Sequence, residues 1–355
     1  MLYQPYKIQT DDGRDTIVYG KIPVDRLAEG TVQYFLEDGT PLKEGKYRTT
    51  DLSKSEQGFY VTANGLKSDV FKVSIREPFA EDAYETITYP VVFHLIQDKT
   101  KVELGQGVGA DIVNYAFNTI YNCFARTAAF SPNGADTKIR FRLAEYDPNG
   151  RKMEEKGINR YSLSTSDLNN LNPEKIKNNP KICWDYKRYL NIWIVENMGN
   201  SVSTPHYILN TADLNQIQGV SFEQLSLEEI EKQEYSLTDI GLIYGARDFA
   251  IEDVGYPTQM GKFFGLLDTE NQKEDYCEDT FAYNTYKEPW NTALEGSNSR
   301  LKISTDGLIF YSVNIMDASS YKNTISMDQV KRIRTITDNC PHRWAWKSDW
   351  AFTGK

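Results

Sequence analysis

The chain has few of the residues that most often build catalytic metal sites. It has only three histidines in 355 residues, His94, His206 and His342, and no ligand pattern joins them. We expect His94, which lies in an apolar segment, to be a hydrogen-bonded core residue, and His206 to lie in a loop. The four cysteines include no C-x-x-C pair, the spacing of many zinc and redox sites. A conventional metal site therefore has no positive support in these residues.

Long apolar runs and an excess of positive charge are also missing. No segment approaches the roughly 18 apolar residues of a membrane span, so no spanning helix is expected. The formal net charge of −10 would repel a phosphate backbone, which makes nucleic acid an unexpected partner. Residues 1–5 lack the charged and apolar regions of a secretory leader. We therefore expect either a cytosolic protein or one from which a leader has been removed.

The composition and the first 80 residues predict a folded protein with a β-rich leading domain. The chain is 40% hydrophobic and 25% charged, which is typical of globular proteins, and its length allows two domains. Residues 58–63 and 70–75 are two of the short strands that turns separate in this region, where no helical stretch is found. We predict an immunoglobulin-like β-sandwich over residues 1–80, followed by a linker that ends near residue 85.

The remainder of the chain alternates strands with helices. Residues 89–96 form a continuous apolar run, as expected of a strand that is buried on both faces. Residues 163–181 are rich in Ser, Asn, Lys and Pro and predict a long solvated loop. We predict an α/β domain over residues 85–355. Its other predicted elements are a helix over 108–127 and strands over 139–144 and 189–195.

Residues 258–268 have two readings. Met260, Phe263, Phe264 and Leu267 are spaced to form one apolar face of a helix, and Gly265 suits a left-handed C-terminal cap. An ordinary core helix explains this spacing. The same residues also have the frame of the motif H-E-x-x-H-x-x-G-x-x-H of metzincin zinc peptidases. In that frame Gly265 keeps the glycine, while the three histidines are replaced by Thr258, Lys262 and Asp268 and the glutamate by Gln259.

Further blocks extend this match in a fixed order. Residues 89–96, 139–144 and 189–195, Gly261 with 265–267, and 314–317 are followed by residues 325–334. With them the chain resembles the pappalysin-like metallopeptidases, within the metzincins, over residues 85 to 345. It resembles in particular the bacterial exported forms that carry an immunoglobulin-like leading domain. The resemblance implies an α/β metzincin-like domain over 85–355 and matches Met316 to the methionine of the turn beneath the metal site.

The resemblance also implies a compartment, a cofactor and a disulfide. Relatives use zinc and are exported to the periplasm or the cell surface, often with a lipid anchor on the precursor. In that family a cysteine after the motif commonly pairs with one in the C-terminal part, which here suggests Cys277 and Cys340. Such a pair would imply an oxidising compartment. The alternative is two free thiols, since four cysteines allow three pairings.

The chemistry of the four replaced positions, Thr258, Gln259, Lys262 and Asp268, does not suit zinc hydrolysis. A catalytic zinc needs three protein ligands and an open position for water. Thr258 offers a neutral hydroxyl, and the ammonium of Lys262 has only donors. One carboxylate, Asp268, does not make a tight site, and the amide of Gln259 cannot act as general base. We expect no catalytic residue and no bound metal at these positions.

Two of these side chains carry opposite charges. Lys262 and Asp268 can form an ion pair across the space that a metal would have held, or both can point into solvent. The sequence favours neither arrangement.

Three functions remain for this chain. The first is a non-catalytic metallopeptidase homologue, a pseudopeptidase that binds a peptide or protein in its cleft or serves as a surface protein. The second is an active zinc-dependent metalloendopeptidase with a non-standard metal site. The third is a glycan- or surface-binding scaffold. The losses at the four replaced positions favour the first function.

Overall fold

A computed structural model describes residues 3–9, 15–21, 32–48, 51–63, 65–77, 80–127, 134–212, 215, 217–251, 255–270, 274–283, 301–304, 309–318 and 322–355. The chain divides into two compact units, residues 1–80 and 81–355. In the described part of the chain, no helix is long and apolar enough to cross a membrane.

The first unit is built from antiparallel strands. Strand β1 (Tyr3–Gln9) pairs with β2 (Asp15–Lys21). A second sheet contains β3 (Gln33–Leu36), β4 (Glu56–Ala63), β5 (Leu66–Lys67) and β6 (Phe71–Ser74), of which β4 pairs with the other three. A 3₁₀ turn spans Lys43–Gly45. The ring of Phe35 stacks on that of Tyr60 with centroids 5.1 Å apart. The immunoglobulin-like sandwich stays a prediction for this unit.

The second unit has a five-stranded parallel sheet at its centre. The long strand β7 (Ile87–Asp98) pairs with β8 (Ile139–Leu143) along its first half and with β9 (Ile158–Leu163) along its second half. On the other side of β7 lies β10 (Leu190–Val195), which pairs with β13 (Gly241–Gly245). Strands β10 and β13 are buried along their whole length, and β7 is buried at all but one residue. The α/β arrangement is confirmed, as are the doubly buried strand predicted at residues 89–96 and the strand predicted at residues 189–195. The strands of this unit are β7 (Ile87–Asp98), β8 (Ile139–Leu143), β9 (Ile158–Leu163), β10 (Leu190–Val195), β11 (Tyr207–Leu209), β12 (Glu223–Leu225), β13 (Gly241–Gly245), β14 (Leu301–Ile303) and β15 (Ile309–Tyr311).

Helices cover the sheet. The helix predicted over residues 108–127 is α2 (Ala110–Phe124). The ring of Phe124 packs against that of Phe141 in β8, with centroids 5.2 Å apart. Phe264 follows the last residue of α7 (Tyr256–Phe263). The centroid of its ring lies 5.3 Å from that of Tyr89 in β7 and 5.8 Å from that of Phe124. The helices are α1 (Lys99–Glu103), α2 (Ala110–Phe124), α3 (Thr165–Asn169), α4 (Pro173–Lys177), α5 (Leu227–Ile230), α6 (Ala246–Ala250), α7 (Tyr256–Phe263), α8 (Met327–Asn339) and α9 (Trp350–Thr353), with 3₁₀ turns at Glu81–Ala83, Leu237–Asp239 and Pro341–Lys347.

The segment predicted to be a long solvated loop, residues 163–181, contains α3 and α4 instead. Leu168 and Ile176 are buried and pack with Trp193 on the sheet face opposite Tyr89. Two of the polar residues that suggested a loop are N-caps of these helices. The hydroxyl of Ser164 accepts the Asp167 N–H at 3.1 Å, and Asn172 Oδ1 accepts the Lys175 N–H at 2.9 Å. The loop prediction is wrong because cap residues and loop residues have the same composition.

A buried arginine holds the C-terminal end of α7. The guanidinium of Arg343 lies 3.5 Å from the centre of the Phe263 ring, and its Nε donates to the Phe263 carbonyl at 2.8 Å. Its two terminal nitrogens donate to the carbonyls of Asp239 and Ser203. In return, the Tyr89 hydroxyl donates to the Arg343 carbonyl at 2.6 Å. One side chain therefore joins α7 to two segments that are distant in the chain.

Replacing Arg343 by Met is expected to lower the free energy of unfolding by about 3–5 kcal/mol, because three carbonyl groups, two of them buried, lose their donor. Urea denaturation measures the loss. Arg188→Met is the matched control, since the Arg188 guanidinium stacks on the Trp350 ring at 4.1 Å while its side chain is 40% exposed. The control should cost at most about 1 kcal/mol. Equal losses in the two variants would contradict the structural role of Arg343.

The buried histidine of β7 is fully hydrogen-bonded, as expected for a core residue. His94 Nδ1 lies 2.9 Å from Asn159 Nδ2, and its Nε2 lies 2.9 Å from Asn191 Oδ1. Asn159 Nδ2 also donates to a backbone carbonyl, so the amide donates to Nδ1 and the proton of the ring sits on Nε2. Burial lowers the pKa of His94 to about 4. The imidazole is therefore neutral in the folded protein at physiological pH.

Acidification is expected to destabilise the fold through His94. The pKa is 6.5 when the chain is unfolded and about 4 when folded, so the unfolded state binds more protons between these values. The stability that the neutral His94 contributes is fully present above pH 6.5 and is expected to be lost as the pH decreases toward 4, by about 2 kcal/mol at pH 5. Urea denaturation at pH 7 and pH 5 tests this effect. His94→Gln should lose less stability on acidification than the wild type, and a parallel decline in both would refute the assignment.

Candidate functional site

The helix predicted within residues 258–268 is α7, which begins at Tyr256 and ends at Phe263. Met260, Phe263 and Phe264 are fully buried, which confirms most of the predicted apolar face, whereas Leu267 lies beyond the helix and is half-buried. Gly265 ends the helix with a φ of 84°. Its N–H donates to the Lys262 carbonyl, and the Leu266 N–H donates to the Gly261 carbonyl, both at 2.9 Å. This bonding is the Schellman cap that the glycine predicted.

Thr258 is tied to the turn that contains Met316. Its hydroxyl donates to the Ile315 carbonyl at 2.6 Å and accepts a hydrogen bond from Lys322 Nζ at 2.9 Å. Thr258 is 8% exposed, so both contacts are largely shielded from water. Lys322 is a site residue that sequence reasoning missed, because a single lysine after the turn carries no periodic or motif signal.

Lys262 and Asp268 form an ion pair. The ammonium of Lys262 lies 2.9 Å from Oδ1 and 3.0 Å from Oδ2 of Asp268. The two side chains are 30% and 29% exposed. Of the two arrangements that the sequence left open, the structure has the ion pair. It lies on a partly exposed side of α7, which we call the open side of α7. Gln259, one turn before Lys262, is half-exposed on the same side.

Met316 lies directly beneath α7. It is 2% exposed, and a Cβ atom added at Gly261 would meet its Sδ at 2.9 Å and Ile315 Cδ1 at 3.1 Å. A larger residue at 261 would therefore push the helix from the turn. The turn itself is closed by Asn314, whose Oδ1 accepts the Met316 N–H at 2.9 Å. The absence of a side chain at Gly261 thus permits close contact between α7 and Met316.

A buried carboxyl group, that of Asp317, also supports this turn. Asp317 is 4% exposed, and its Oδ2 accepts a hydrogen bond from the Ser312 hydroxyl at 2.7 Å. Thr269, the residue after Asp268, donates to Asp317 Oδ1. Burial raises the pKa of Asp317, which favours the protonated carboxyl. The segment after α7 is therefore bound to the Met316 turn at a point that the sequence did not mark.

The donors at the four replaced positions do not fit a zinc ion. Thr258 and Lys262 are committed to the contacts above, and Asp268 is the one carboxylate among them. Neither buried histidine can help, since His94 is bonded within the sheet and His342 packs among tyrosine rings. Among the described residues, no group of three His, Cys, Asp or Glu side chains could hold a metal.

The predicted disulfide between Cys277 and Cys340 is wrong. All four cysteines are within the described residues, and all are free. The two residues lie at opposite ends of α8, because Glu278 donates its N–H to Asp328 Oδ2 in the first turn and Cys340 follows the last residue. At about 1.5 Å per residue these ends are roughly 18 Å apart, whereas a disulfide needs Cα atoms within about 7 Å. Burial raises the pKa of the Cys277 thiol, so it is a poor nucleophile.

The two replaced ligand positions on α7 should differ in their effect on stability. Thr258→Val keeps the shape but removes the hydroxyl, so the buried Ile315 carbonyl loses its donor at a cost of about 1–3 kcal/mol. Lys262→Met breaks a partly exposed ion pair and should cost at most about 1 kcal/mol. Urea denaturation of both variants measures the difference. A larger loss for Lys262→Met would show that the ion pair, and not the threonine, anchors the helix.

No family model and no curated protein was found to match this chain. Several solved structures are similar to it, and three of them each match 76% of its length. A promirolysin variant from Tannerella forsythia has 17% sequence identity and a TM-score of 0.46, with 87% of that chain covered. Mature Tannerella forsythia mirolysin in complex with a cleaved peptide has 17% identity and a TM-score of 0.47, with 97% covered. Mirolysin in complex with compound 9 has 18% identity and a TM-score of 0.49, with 98% covered.

Proposed function

We propose that this protein is a non-catalytic homologue of the pappalysin-type metallopeptidases that binds a peptide or protein segment at the open side of α7. The ion pair between Lys262 and Asp268 carries the proposal, because it joins two positions at which the resembled family has zinc ligands. An ammonium already supplies positive charge at this point. A zinc ion would have to displace it against electrostatic repulsion.

The contacts of the other replaced positions support the same conclusion. Thr258 gives its proton to the Ile315 carbonyl and accepts from Lys322, so its hydroxyl serves the fold. Gln259 reaches solvent but carries an amide, which neither takes up nor returns a proton near neutral pH. Hydrolysis needs a metal-bound water and a base, and neither has a candidate at these positions.

The surface that remains suits a peptide. The amide of Gln259 can donate and accept hydrogen bonds, which is the pairing that a peptide group offers. Lys262 and Asp268 add one charge of each sign beside it, and both are accessible to solvent. Recognition of this kind needs no metal, because main-chain hydrogen bonds supply much of the affinity in bound strands.

Metal analysis and an activity assay test the proposal. Purified protein is expected to contain far less than one zinc per chain after exposure to excess zinc, and to leave a mixed peptide library uncut. Binding of that library should be unaffected by a chelator. Stoichiometric zinc together with chelator-sensitive cleavage would overturn the proposal and favour an active enzyme. Binding on a glycan array, without binding to peptides, would favour a scaffold of another kind.

Rebuilding the site tests the assignment of the four positions. The variant Thr258→His, Gln259→Glu, Lys262→His retains Asp268 and places two imidazoles one helical turn apart on α7. We expect it to bind about one zinc per chain, because Asp268 already reaches the position 262 side chain. Gln259→Glu alone is the control and should bind none. A folded triple variant without zinc would show that these positions do not converge as ligands.

A further inference from the structure

An exposed tyrosine packs beside the segment that carries Asp268. Tyr276, in the segment after α7, is 45% exposed. A Cβ atom added at Gly219 would lie 2.2 Å from Cε2 of Tyr276 and 2.8 Å from Cδ1 of Leu267. The two side-chain atoms are therefore at most about 5 Å apart. Because Leu267 directly precedes Asp268, the tyrosine ring lies within one residue of the ion pair at the open side of α7.

Hydrogen bonds fix the turn that carries this tyrosine. Its two chain neighbours, Asp275 and Cys277, are each 8% exposed. Asp275 Oδ1 accepts the Cys277 N–H at 3.2 Å and the Thr280 hydroxyl at 2.8 Å. The carboxylate of Asp279 accepts the hydroxyl of Ser326, the N-cap of α8, at 2.6 Å. The backbone on both sides of the exposed ring is therefore held against the body of the second unit.

The backbone of Tyr276 adopts a conformation that costs free energy. Its φ is 58°, in the left-handed region that residues with a Cβ atom seldom adopt. A glycine or an asparagine would suit this conformation better. Residues that are strained in this way persist where the surrounding structure fixes them, and they are frequent at ligand-binding sites. The turn thus holds an aromatic ring in one position at the surface, next to the open side of α7.

We infer that Tyr276 receives an aromatic side chain of the bound peptide, which packs on its ring next to Leu267. The inference rests on the proposed function and adds the class of residue that the site selects. A tyrosine that is held in one position offers a large contact area and loses little conformational entropy when a ligand binds. Paired aromatic rings also attract each other beyond the effect of the apolar area that they bury.

The two parts of the site have different chemistry. Lys262 and Asp268 carry opposite charges and are partly exposed, whereas Tyr276 and Leu267 offer apolar surface. A peptide can meet both parts at once, with its main chain at the polar part and a side chain at the ring. A nucleic-acid base also stacks on tyrosine, but its phosphates would meet the net charge of −10. A sugar ring is the other ligand that an exposed tyrosine accepts, and the experiment has an arm for it.

The experiment measures the binding of three sets of acetylated and amidated hexapeptides to the full chain. All are built from neutral polar residues, and one central position holds phenylalanine, leucine or alanine. We expect the phenylalanine set to bind about tenfold more tightly than the alanine set, because burial of the ring is worth this much, and more tightly than the leucine set. A phenylalanine set that binds no more tightly than the leucine set would overturn the inference and leave the proposed function standing. Binding of chitohexaose or cellohexaose with no binding of peptides, or binding of no probe, would overturn both.

Tyr276→Asn separates a binding role from a structural one. Asparagine suits the left-handed backbone, so this variant is expected to fold as well as the wild type, as measured by urea denaturation. It should bind the phenylalanine set about tenfold more weakly and the alanine set as before, since only the ring is lost. Tyr276→Phe keeps the ring and should bind both sets like the wild type. Equal binding of the phenylalanine set by Tyr276→Asn and the wild type would overturn the inference.

Tyr115→Asn is the matched control. Tyr115 is 46% exposed, and its ring packs on that of Tyr256 at the other end of α7, with centroids 6.5 Å apart. This variant loses a ring of the same size and exposure, and it should bind the phenylalanine set like the wild type. The same loss of binding in Tyr115→Asn and Tyr276→Asn would overturn the inference, because it would show that the position of the ring does not matter.

Discussion

The hydrogen bonds of the buried Arg343 guanidinium determine where α7 can lie. Arg343 contacts the carbonyls of Phe263, Asp239 and Ser203, so it joins the end of α7 to the segment before β13 and to the loop after β10. Because these acceptors are neutral, burial of the positive charge is tolerated only while all three bonds exist. The aromatic ring of Phe263 adds a face for the cation. The open side of α7 therefore rests on contacts made at its opposite, buried side.

Much of the second unit could be predicted from apolar patterns. A continuous apolar run predicted β7, since a strand that is buried on both faces shows no alternation of polar and apolar residues. The strand β10 was also predicted, although its burial on both faces was not. The helices α3 and α4 were missed because they are five residues long and begin at Ser164 and Asn172, which are equally common in loops. Short elements of this kind depend on tertiary burial, here of Leu168 and Ile176, which no local pattern reveals.

The candidate site was predictable only in part. The spacing of the motif predicted the helix, its glycine cap and the position of Thr258 and Lys262 on one face of the helix, because these follow from helical geometry. The sequence could not choose between an ion pair and two solvated charges at Asp268, since that choice depends on the path of the chain after Gly265. Lys322 and the ends of α8 that separate the cysteines depend on long-range packing. The disulfide prediction was wrong because it transferred a pairing that is common in the resembled family, without knowledge of the distance between Cys277 and Cys340 in this chain.

The ion pair on α7 also has an evolutionary consequence. A mutation of Lys262 alone to histidine would remove the counter-charge of Asp268, while Thr258 would still hold only a hydroxyl bound to the Ile315 carbonyl. Each single substitution toward a metal centre at these positions removes an existing contact before a complete set of ligands is present. Under the proposed function, single substitutions toward zinc ligands are therefore expected to be unfavourable, and hydrolysis is not expected to arise through them one at a time.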